Sequence, residues 1–186
     1  MGDILITAFK PFGLIGAWLR QSNASEDVLA ALNKHENETF ENLIISASDQ
    51  GIEAFLEELD RIQPSGIISM GEHMLIPSTN ILIEPHAYDT NTTALPLKHL
   101  FSDKVESSFA ANHASSPTKS MIGGYYCNQI YLQGLNWAKE NGNIPVAFVH
   151  VPVLGDPDHK AEQVYALLKS MQDDIANPQH NNLILE

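Results

Sequence analysis

Val146-Ala147-Phe148-Val149-His150-Val151-Pro152 is an apolar run interrupted by a single imidazole and closed by a proline. A short continuous run of this kind reads as a strand buried on both faces, the type that builds parallel sheets. Working outward, Gly66 to Met70 repeats the pattern and ends at Gly71, and Asp3 to Phe9 repeats it again before Pro11 and Gly13. Leu43 to Ser46 and Asn80 to Ile83 are shorter candidates. Helical spacing fills the intervals. Asn23 is placed to cap a helix with Glu26 three residues on and Val28, Leu29 and Leu32 on its buried face. Ile52, Phe55, Leu56, Leu59 and Ile62 mark a second helix, which Pro64 stops. Asn128 to Asn141 gives a third, and Ala161, Val164, Tyr165, Leu168 and Met171 mark the last, with Asp158 as its expected cap. Lys10 to Ser22 reads as a loop, Pro85 to Pro96 as irregular, Ser120 to Tyr126 as a strand or turn, and the tail beyond Asp174 as loosely held. Strands alternating with helices predict an α/β fold, a three-layer α/β/α sandwich with a mainly parallel central sheet, in one domain over residues 1–186.

Composition narrows the partners. The chain carries 10 basic and 23 acidic residues, a net charge of −13, so its field repels phosphate backbones and anionic lipids. Nucleic acid and membrane are therefore not expected as partners. No apolar stretch approaches the roughly 20 residues that span a bilayer. Asp3 and Lys10-Pro11 spoil a signal peptide, and Ile6 spoils a myristoylation pattern. The one cysteine, Cys127, excludes an internal disulfide and suits a reducing compartment, so the cytoplasm is expected. Glu72, His73, His86 and His99 fit no zinc signature, and neither a metal nor an organic cofactor is expected.

The chemistry concentrates at strand ends, where open α/β sheets place their sites. Cys127 falls where a glycine-containing segment turns into a helix, and unpaired N–H groups there stabilise a thiolate or an oxyanion. A buried structural cysteine is the alternative for position alone. His150 sits inside a strand otherwise fit for the core, where an imidazole without a partner costs roughly 1–3 kcal/mol. Backbone satisfaction is one explanation; service as the general base toward Cys127 is the other. Glu84, after Ile81-Leu82-Ile83, could point inward and orient that imidazole.

Phe9-Lys10-Pro11-Phe12-Gly13, Ile83-Glu84, Tyr125-Tyr126-Cys127-Asn128 and Phe148-Val149-His150-Val151-Pro152 occur in this order. Together they resemble the pyroglutamyl peptidase I (pyrrolidone-carboxylate peptidase) family, cysteine exopeptidases that remove an N-terminal pyroglutamate from peptides. The resemblance runs from about Ile4 to Met171. It implies Cys127 as nucleophile, His150 as base and Glu84 as orienting acid. It also implies Phe9 and Phe12 as walls for a flat lactam ring, with Tyr125 and Tyr126 lining the same slot. Asn23 stands in the place of a family Asn-Pro-Ser segment. The expected ligand is a small peptide or N-acyl amide, and a homo-oligomer stays open.

The sequence also departs from the family pattern. Gly71-Glu72-His73-Met74-Leu75 replaces a Gly-Gly-Arg-type segment, with Glu72 where a lactam-binding glutamine is usual. Pro85 replaces an arginine, and the stretches at Ser48 to Gly51 and Asp89 to Leu95 are shortened. Two further readings stay open: the same nucleophile acting on another small amide or lactam, and a binding homologue without catalysis.

Overall fold

The computed structural model describes residues 3–11, 22–34, 39–73, 78–89, 103–114, 122 and 125–177. In chain order the strands are β1 (Ile4–Phe9), β2 (Glu41–Ile45), β3 (Gly66–His73), β4 (Leu82–Glu84), β5 (His86–Asp89), β6 (Asp103–Glu106) and β7 (Val146–Pro152). The helices are α1 (Ala24–Leu32), α2 (Asp49–Ile62), α3 (Ser108–His113), α4 (Tyr126–Glu140) and α5 (Pro157–Ala176). The main sheet has the order β2-β1-β3-β7-β4, and β5 pairs with β6 in a separate ribbon. β2, β1, β3 and β7 run parallel, while β4 lies antiparallel on β7 at the edge.

Each face of the sheet carries its own apolar layer, because successive strand residues point to opposite sides. Ile4, Ile6, Ile68, Met70, Ala147 and Val149 pack with Val28 and Leu32 of α1 and Val164 and Leu168 of α5. Leu5, Phe9, Ile67, Val146 and Phe148 pack with Phe55 and Leu59 of α2 and Ile130 and Tyr131 of α4. Burying one such side chain contributes roughly 1.5–3 kcal/mol. This is the expected three-layer architecture with a mainly parallel sheet.

Several local expectations need correction. His86–Asp89, inside the stretch expected to be irregular, is a strand, paired antiparallel with Asp103–Glu106. The short fourth strand begins at Leu82 rather than Asn80 and includes Glu84. Helix α4 starts at Tyr126, which puts Cys127 inside its first turn. The cap of α5 is Asp156, whose side chain accepts from the N–H of Asp158. Pro157 fits just inside that cap because its missing N–H would have had no helical partner. The loop expected at Lys10 to Ser22 lies mostly outside the described residues, as do Gly123-Gly124 and the chain beyond 177.

Candidate active site

The sheet's α2/α4 face gathers the three residues singled out above. His150 pairs in register with Gly71 of β3 and Leu82 of β4, and Glu84 pairs with Phe148 two residues back along β7. This places the carboxylate within reach of the imidazole. His150 Nδ1 donates to Glu84 Oε1 over 2.6 Å, with the two side chains only 3% and 0% exposed. An ionised carboxylate only accepts, so the proton sits on Nδ1 and, in the neutral ring, the lone pair falls to Nε2. Tyr131 of α4 steadies the acid's strand by donating its hydroxyl to the Glu84 carbonyl over 2.9 Å.

Cys127 approaches the same place from α4. It is 8% exposed and belongs to the apolar layer of Phe9, Tyr131 and Phe148. Its sulfur lies against Gly71: a Cβ at that glycine would stand 2.8 Å from Cys127 Sγ and 2.9 Å from Phe148 Cζ. The bare backbone of Gly71, next to His150 in register, therefore makes room for the thiol. Burial pushes that thiol up to about 12, its own backbone N–H pulls it back in part, and the Glu84 charge adds to the rise. At rest the group is a neutral thiol. No hydrogen bond joins Cys127 Sγ to His150 among the described residues.

Asn128, the residue after the cysteine, is fully buried. Its Oδ1 accepts from the Tyr88 N–H over 2.7 Å and its Nδ2 donates to the Tyr88 carbonyl over 2.8 Å. The side-chain amide thus pairs with β5 as a neighbouring strand would and pins the start of α4 there. Sequence reading named neither this role nor that of Gly71. The first depends on a side chain imitating backbone, the second on helix-to-sheet packing across the fold.

The remaining predicted residues divide. Phe9 is buried in the layer that holds Cys127, and Tyr126 packs partly against it. Tyr125, at the cap of α4, is 79% exposed. Phe12 lies outside the described residues. Asn23 is the buried cap of α1, accepting from the N–H and the hydroxyl of Ser25, while Ser25 Oγ accepts from the Phe9 N–H. The structure does not bring Glu72 beside Cys127. Glu72 follows Gly71 directly on β3 and so turns to the opposite face, where its Oε2 accepts from the Ala24 N–H over 2.7 Å at the start of α1. Among the described residues no group of three or more His, Cys, Asp or Glu is arranged to hold a metal ion. No described helix is long and apolar enough to cross a membrane.

No protein-family model matches the sequence, and no curated protein does. Solved structures do match. Pyrrolidone carboxyl peptidase from Thermococcus litoralis superposes with a TM-score of 0.66 at 16% identity, over 96% of this chain and 97% of that one. Pyroglutamyl peptidase I from Bacillus amyloliquefaciens gives 0.61 at 15%, over 95% and 96%. A mutant pyrrolidone carboxyl peptidase from Pyrococcus furiosus gives 0.61 at 16%, over 95% and 99%. The resemblance read from scattered motifs is thus a resemblance of structure along nearly the whole chain, and the fold is that of the pyrrolidone carboxyl peptidases.

Proposed function

We propose that this chain is a cysteine hydrolase that removes a small N-terminal acyl group, pyroglutamate first, through Cys127, His150 and Glu84. The observation that carries the reading is the buried 2.6 Å pair of His150 and Glu84 on the sheet face that also receives Cys127 Sγ. A buried imidazole held by a carboxylate can take a proton at Nε2, because the carboxylate stabilises the imidazolium that forms. The burial of Cys127 disfavours a standing thiolate. The proton therefore moves to His150 as the sulfur attacks the substrate carbonyl, and ordering by substrate brings thiol and ring into line. N–H groups of the first turn of α4, where Cys127 sits, are suited to the developing oxyanion. His150 then protonates the departing amine, and water attacks the thioester to release the acid.

Substrate choice rests on the company the fold keeps and on the apolar surroundings of Cys127. Phe9 is buried in the same apolar layer as Cys127, so surface uncovered there by a substrate would be apolar. Such surface favours a neutral lactam over a charged amino terminus, which would lose hydration without a partner. The test is turnover of a pyroglutamyl fluorogenic amide beside a panel of other N-acyl amides, with Cys127→Ala as control. Release from pyroglutamyl amide that vanishes in Cys127→Ala supports the proposal. Turnover of a different amide moves the substrate and keeps the mechanism, whereas undiminished turnover by Cys127→Ala ends it.

A binding homologue without catalysis is the second reading, supported by the raised thiol and by the turning of Glu72 to α1. It predicts that Cys127 resists alkylation at neutral pH even when pyroglutamyl ligands are bound.

A further inference from the structure

His73 is the imidazole that the reaction above leaves unused. It stands two residues beyond Gly71 on β3 and pairs with Pro152, two residues beyond His150 on β7. It therefore faces the side of the sheet that His150 faces, one row nearer the open end of the strands. The two rings meet edge to face, with centroids 4.8 Å apart and planes at 75°. On the row below, Phe148 meets His150 in the same manner at 5.2 Å and 78°. The buried ring is thus clasped by an aromatic below and an imidazole above, while Glu84 fixes one of its nitrogens. His73 itself is half-buried, at the last residue of β3.

We propose that His73 is a positioning residue for His150, packing edge-on against its ring and holding it in place. The proposal rests on His150 being the base of the proposed reaction. Two cationic rings at this separation repel each other, so the pair takes up its second proton reluctantly. Among the described residues, the charged and titratable groups around the pair are Glu84 from β4, Cys127 from α4 and, toward Glu84, His86 and Tyr88 from β5. Glu84 is the acid hydrogen-bonded to His150. His73 is pushed below the ordinary imidazole range by burial first and by the His150 charge second, with Glu84 opposing.

Ring-nitrogen NMR on the whole chain tests this without any need for turnover. His150→Gln should raise the His73 midpoint by about one pH unit, the size expected for losing a neighbouring like charge. The Nδ1 proton bonded to Glu84 should give a low-field signal. His73→Phe should keep that signal, because it keeps a ring over His150. His73→Ala should broaden it through exchange with water. His73 is half-buried at the end of β3, outside both apolar layers, so both substitutions leave the core intact. A His73 midpoint unmoved in His150→Gln, or a signal as sharp in His73→Ala as in the wild type, overturns the proposal. A chain inert toward every amide tested, with these signals behaving as described, would instead count against the hydrolase reading alone.

Discussion

Gly71 and Cys127 stand so close that a single methyl group on the glycine would reach 2.8 Å from the sulfur. The same methyl would meet Phe148 Cζ at 2.9 Å, so neither neighbour offers an easy retreat. Gly71→Ala should therefore destabilise the fold by about 1–3 kcal/mol, the usual cost of overpacking a dense interior. Part of that cost belongs to the sulfur. A double-mutant cycle by chemical denaturation isolates it. Gly71→Ala should cost less in a Cys127→Ala background than alone. Equal costs in both backgrounds would mean that the sulfur is not the obstacle.

Glu84→Gln keeps the shape of the acid and removes its charge. His150 Nδ1 retains an acceptor in the amide oxygen, but the imidazolium loses its counter-ion in a site where both side chains are almost wholly buried. Hydrolysis should fall by about 10²- to 10⁴-fold, in line with the loss of an orienting carboxylate elsewhere. Circular dichroism should remain that of the wild type. Activity within a few-fold of wild type in a folded variant would remove Glu84 from the mechanism.

The legibility of the site in sequence follows from how each residue announces itself. His150 is the only polar break in the apolar run of β7, and Glu84 ends an apolar strand, so both stood out by contrast with their neighbours. Cys127 stood out as the lone thiol. The face on which Glu72 lies was not legible, because strand alternation fixes which residues share a face, not which face receives Cys127. Gly71 meets Cys127, so its neighbour Glu72 must face away, and only the pairing of β3 with β7 reveals this. Strand β6 was missed because Asp103-Lys104-Val105-Glu106 is mostly exposed and carries no apolar pattern. Its partner β5 lies just after Pro85, in the stretch from Pro85 to Pro96 that reads as irregular, where the proline is in fact the joint between two strands.

Asn128 predicts an effect on the ribbon rather than on the sheet. Asn128→Asp keeps the acceptor for the Tyr88 N–H and loses the donor to the Tyr88 carbonyl. It also buries a charge beside Tyr88, whose hydroxyl is already raised by burial first and by the Glu84 charge second. A cost of about 1–3 kcal/mol is expected, with faster amide exchange along His86–Asp89 than along β7. Uniform acceleration over the whole chain would show that Asn128 supports global stability instead of anchoring β5.

The buried thiol makes a prediction about alkaline stability. An unfolded cysteine ionises near pH 8.5, whereas burial pushes Cys127 up to about 12 in the folded chain. Between those values the unfolded state gives up a proton that the folded state keeps. A raised acid thus contributes stability that is whole below the unfolded value and is lost as pH climbs through the folded one. Over that window the unfolding free energy should drop by about 1.4 kcal/mol per pH unit from this group. Tyr131 is also raised, chiefly by burial, and adds its own alkaline loss at higher pH. Comparing wild type with Cys127→Ala by denaturation from pH 8 to 11 separates the two, since only the sulfur's share disappears in the variant. The variant's curve should be flatter from about pH 9 upward. Parallel curves would mean that the sulfur ionises as easily inside the fold as outside it, and that the enclosure formed by Gly71, Phe148 and the first turn of α4 is open to water.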